Sequence, residues 1–97
     1  MKLRIANWNI ERPQTGQTEK IDALETRMRQ IDADIWILTE SNRQITPVPG
    51  YYSQHSGTPD RPSTEGEAWC SIWAHDELED LSSDISDPAR CTAARLQ

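Results

Sequence analysis

The sequence predicts an α/β fold that opens strand, helix, strand. Three observations carry that reading: an apolar run at residues 33–40 that closes on a carboxylate, a similar run at residues 3–10, and an amphipathic stretch between them. In Ala33-Asp34-Ile35-Trp36-Ile37-Leu38-Thr39-Glu40, the four consecutive apolar residues include two that are β-branched and one aromatic. So short a run reads as a strand covered on both faces, with Glu40 at its C-terminal tip.

In the earlier run, side chains alternate: Leu3, Ile5, Asn7 and Asn9 point one way and Arg4, Ala6, Trp8 and Ile10 the other. Residues 11–17 are polar, contain Pro13 and Gly16, and read as a loop. One glycine is too few for a loop that cradles a pyrophosphate. Thr18 is placed to cap a helix over residues 19–32, with Glu19 and Asp22 near its positive end and Arg27 and Arg29 near its negative end. Ile21, Leu24, Met28 and Ile31 recur at spacings of three and four, which lays them on one stripe for packing against a sheet. Glu25 and Arg29 stand one turn apart on the outer side. A crossover of this kind is right-handed and makes its two strands parallel, so Asn9 and Glu40 should meet at the carboxyl edge of the sheet, where α/β folds tend to bind ligands.

Residues 41–49 and 55–66 read as loops, the first carrying Pro47 and Pro49, with a short strand at residues 50–53 between them. His55 falls in the second loop and reads as a surface residue. Strand character resumes at residues 67–74, with Ala68, Cys70, Ile72 and Ala74 on one face and Trp69, Ser71 and Trp73 on the other. The acidic link 75–87 contains Leu78 and Leu81 at the spacing of a single helical turn, and residues 90–96 read as a last strand led by Arg90.

With 97 residues the chain holds one domain, 1–97, with a modest core. Sixteen acidic against ten basic residues give a formal charge of −6, which on average repels phosphate backbones. No run is long enough to cross a bilayer and no signal-like segment opens the chain, so the expected location is the cytoplasm. Cys70 and Cys91 lack the spacing of a zinc or redox motif and read as separate buried thiols in strands.

Asn7-Trp8-Asn9-Ile10 at the end of one strand and residues 34–40 at the end of the next resemble the opening of the endonuclease/exonuclease/phosphatase superfamily. That family includes deoxyribonuclease-like and abasic-site nucleases, inositol-phosphate phosphatases and sphingomyelinases. The later order is similar too: an aromatic turn at Gly50-Tyr51-Tyr52, a loop ending in Gly66, the strand with Trp69 and Trp73, and an Arg-led strand at Arg90. The resemblance implies the N-terminal half of a four-layer α/β sandwich and a metal-dependent phosphoesterase. It implies Asn9 as the family's first-motif amide, which positions a phosphate or carboxylate, and Glu40 as the carboxylate for Mg2+, with Mn2+ as the alternative ion. Arg90 is a weaker candidate for a substrate phosphate. The family's later Asp/Asn pair and terminal Asp-His pair have no counterpart here, so the expectation is a fragment, inactive alone, that needs a missing C-terminal half or a partner strand. The substrate is a phosphate ester; nucleic acid is among the family's substrates, though the charge does not indicate it. The alternative, of a different class, is a noncatalytic α/β module that binds a partner through unpaired strand edges.

Overall fold

The apolar runs at 3–10 and 33–40 become neighbouring parallel strands, the first at the edge of a sheet and the second inside it. In the computed structural model, which describes residues 2–46, 50–59, 65–81, 83 and 85–97, strand β1 (Ile5–Asn9) is followed by helix α1 (Thr18–Ile31) and strand β2 (Ile35–Asn42). Strands β3 (Tyr52–His55) and β4 (Glu67–Ala74) complete a four-stranded sheet of order β1-β2-β4-β3. Strands β5 (Leu78–Asp80) and β6 (Ala94–Leu96) form a separate antiparallel pair. The architecture is therefore mixed α/β. β1 and β2 are parallel neighbours, with Asn9 opposite Thr39, as the crossover requires. β4 runs antiparallel to both β2 and β3.

The stripe on α1 packs as its spacing dictates. Leu24 and Met28 are buried, Ile21 and Ile31 are partly buried, and all four join Ile10, Ala33, Trp36, Leu38, Ile45 and Trp73 in one core. Trp8 stacks obliquely on Trp36 with ring centroids 6.4 Å apart. Asp32 ends the helix in the left-handed conformation, its N–H donating to Met28 O.

The structure departs from the sequence reading in several places. β2 is covered on one face only: Trp36 is 1% exposed, whereas Ile37 beside it is 37% exposed. One helix can cover one face of a sheet, and the apolar run alone does not say how many layers lie against it. β2 also runs through Glu40 to Asn42, because β4 keeps pairing with Ser41 and Asn42. Gln17, not Thr18, is the N-cap residue, and its side chain does not cap: its carbonyl takes the Ile21 N–H, while its side chain folds back to accept the Gln14 N–H. Glu25 turns to the Thr46 N–H and Arg29 to the Thr26 hydroxyl. The short strand expected at 50–53 lies at Tyr52–His55. Leu78 belongs to a strand, not a helical turn, since it faces Leu96 across the β5/β6 pair. The last strand is confined to Ala94–Leu96, because Arg90 and Cys91 turn back to donate their N–H groups to Asp87 O. Pro47, Pro49 and residues 60–64 of the expected loops lie outside the described residues.

Candidate functional site

The carboxyl ends of β1 and β2 bring two of the sequence-predicted residues together. Asn9 is the last residue of β1, and Glu40 follows the Thr39 that pairs with it. Glu40 has a φ of 49°, a left-handed backbone that costs a non-glycine residue about 1–2 kcal/mol. Strain of this kind, within a strand and at a carboxylate, is characteristic of functional positions. Glu11 and Arg12 also have positive φ, 60° and 53°, so the chain leaving β1 turns sharply. Asn9 holds that turn: its Oδ1 accepts the Glu11 N–H at 3.0 Å. The next residue lands on Glu40, with Arg12 N donating to Glu40 O at 2.6 Å and Arg12 Nε lying 3.9 Å from Glu40 Oε1. Both side chains are partly solvated, so the ion pair contributes only about 0.5 kcal/mol.

Glu40 opens into a cavity of 260 Å³ that it lines with Thr39, Trp69, Cys70 and Arg90. Two expected residues, Glu40 and Arg90, thus share one cavity, while Asn9, paired opposite Thr39, is not part of its lining and shapes the turn after β1. Arg90 is oriented by Asp87, whose Oδ2 accepts from its guanidinium at 3.1 Å. A larger hollow of 540 Å³ lies at the opposite end of the strands, around Lys2, Leu3, Arg4, Asp32 and Asp34. Its charges serve the fold, since Arg4 N donates to Asp34 Oδ2 and the Arg4 guanidinium to Ile31 O.

Two residues that sequence reasoning passed over build the rim. Asn42, buried, donates to Glu65 O at 2.8 Å and to Pro13 O, and accepts the Gln44 N–H. Arg43 donates to Glu67 O at 3.0 Å and to Ser56 O at 2.5 Å. Together they tie the β1–α1 loop and the approach to β4 to the end of β2. Gly66 has to be glycine here: its φ is +78°, and a Cβ would stand 2.6 Å from Asn42 Oδ1. The only signal in the sequence was an Asn-Arg pair directly after the apolar run.

The histidines lie elsewhere. His55 is half-buried against Trp73, edge to face, with Nδ1 2.7 Å from Ser71 Oγ. Burial and the nearby Arg43 guanidinium lower its pKa to about 4. It is a neutral packing residue and not the surface residue its loop-like sequence suggested. His75 stacks on Tyr51 at 4.0 Å, and its N–H bonds Asp34 O near the start of β2.

Among the described residues, no three His, Cys, Asp or Glu side chains group to hold a metal. The carboxyl edge offers one carboxylate, Glu40, which faces the Arg12 guanidinium, and one amide oxygen, that of Asn9, which accepts the Glu11 N–H. That is unlike a closed zinc site, which takes four ligands. A hard ion such as magnesium takes few protein carboxylates and keeps most of its positions for water and substrate oxygen. No protein-family model matches this chain, and comparison with curated proteins and with solved structures returns no match. No helix among the described residues is long and apolar enough to cross a membrane.

Proposed function

We propose that the carboxyl edge of β1 and β2 is the metal-binding part of a phosphoesterase site, with Mg2+ or Mn2+ as cofactor and a phosphate ester as substrate. The observation that carries this reading is the strained Glu40, held beside Asn9 by the parallel crossover and opening into a cavity shared with Arg90. Glu40 would hold the ion through its carboxylate. When bound, the ion supplies positive charge to a phosphoryl oxygen. Arg90 supplies a planar cation with donors suited to phosphate oxygens. Asn9 positions the turn that sets Arg12 against Glu40. The four-layer sandwich belongs to the same proposal. Its support is an open apolar face on the large sheet and a second small sheet in which β5 lies next to β3.

The test is a magnesium titration of the 97-residue chain followed by tryptophan fluorescence, alongside hydrolysis of a generic phosphodiester. Saturable binding that Glu40→Gln abolishes and Glu19→Gln leaves intact is the expected result. Equal behaviour of the two variants would remove Glu40 as a ligand.

The open face favours a second reading, a noncatalytic module that binds a partner. Ile5 is 58% exposed and Tyr52 49%, and β1 and β3 are the outer strands of the four-stranded sheet. Folded protein that binds no magnesium and self-associates would favour it.

A further inference from the structure

We propose that Cys70 and Cys91 form a reversible disulfide that fastens the segment around Arg90 to β4, a modification site independent of the phosphoesterase reading. The geometry carries it. Cys70 Sγ lies 3.4 Å from Arg90 O, to which its thiol donates. The Thr92 backbone lies near the same sulfur and favours its thiolate. The Cys70 sulfur therefore rests against the backbone on both sides of Cys91. A carbonyl oxygen stands roughly 2.8 Å from the following Cα by ordinary bond lengths, so the two residues approach the separation a disulfide spans. Both cysteines are free, and they differ in exposure: Cys91 is exposed and Cys70 half-buried. That corrects the sequence reading of two separate buried thiols, since the turn at Asp87 brings the later cysteine back over the sheet.

The asymmetry assigns the order of steps. The exposed Cys91 thiolate attacks a small disulfide oxidant such as oxidised glutathione, and one glutathione thiolate leaves. The Cys70 thiolate then attacks the Cys91 sulfur of the mixed disulfide, and the second glutathione leaves. Two protein thiols and one glutathione disulfide become one protein disulfide and two glutathione thiols. Burial raises the pKa of Cys70, so the second step quickens as pH rises. Because Cys70 and Arg90 both line the cavity at Glu40, the bond fixes one wall of that cavity.

The test is treatment of the full chain with oxidised glutathione in native buffer and in urea, followed by intact mass, free-thiol count and non-reducing proteolytic mapping. The expected product is a monomer lighter by two hydrogen atoms, without free thiols, its linked peptide joining Cys70 to Cys91, and formed faster in native buffer than in urea. Cys91→Ser should retain the Cys70 thiol under the same treatment. Persistent glutathione adducts on both cysteines, dimers linked through Cys91, or a ring that closes no faster in native buffer would each overturn the proposal.

Discussion

The two faces of the large sheet have nearly the same sequence chemistry and opposite fates. Facing α1 are Ala6, Trp8, Trp36, Leu38 and Trp73, all inside or against the core. On the other face, Ile5, Ile37 and Tyr52 are exposed, with Ile35 and Ile72 half-buried between them. The C-terminal segment crosses part of that open face: Gln54 donates to Thr92 Oγ1 at 2.8 Å and to Ala93 O, and Cys70 meets Arg90. The β1 and β2 side remains uncovered. Alternation decides which residues share a face, whereas coverage depends on what else packs there.

Neighbouring residues of β2 test the comparison most severely. Trp36→Ala removes a side chain that is 1% exposed and should cost ~3–5 kcal/mol in denaturant unfolding. Ile37→Ala, one position on, should cost under ~1 kcal/mol, because much of that side chain is already in water. A similar cost for both would mean that the open face is covered in solution.

The rim that joins the faces comes next. Gly66→Ala should destabilise by about 2 kcal/mol, combining the positive φ with the contact on Asn42. Thermal unfolding reads this directly, and Asn42→Ala in the same background should relieve the contact but not the backbone strain.

On the helix-side face, His55 makes the comparison pH-dependent. Its folded pKa, about 4, lies below the unfolded value near 6.5, so between those values the unfolded state binds more protons. The stability that neutral His55 contributes is complete above about pH 6.5 and is lost as pH falls towards about 4. The loss should be on the order of 1–2 kcal/mol after solvent screening, and His55→Gln should flatten this part of the profile. An unchanged slope would mean that His55 is solvated.

The smallest effect belongs to the open face. Ile5→Ser, at a position 58% exposed, should change stability by less than ~0.5 kcal/mol while lowering any self-association seen by sedimentation. Loss of stability instead would show that this position is packed.

Much of the fold was legible in particular residues. The spacing of Ile21, Leu24, Met28 and Ile31 placed the helix stripe, and strand alternation separated Trp73 from Ile72. Of the candidate site, the adjacency of Asn9 and Glu40 followed from the crossover, because two parallel strands joined through one helix must end on the same edge. The return of Arg90 and Cys91 to that edge was not legible, since a turn at Asp87 is fixed by backbone hydrogen bonds that composition does not specify.

The sequence by itself determined the helix and the strands β1, β2 and β4, and their order, because these follow from helix and strand periods within a few residues. Only the tertiary structure decided which face is covered, where Glu40 strains its backbone, how Asn42 and Arg43 tie the end of β2 to its neighbours, and that the Cys70 thiol meets the Arg90 carbonyl. Those features depend on contacts between segments distant in the chain, whose energies no local pattern encodes.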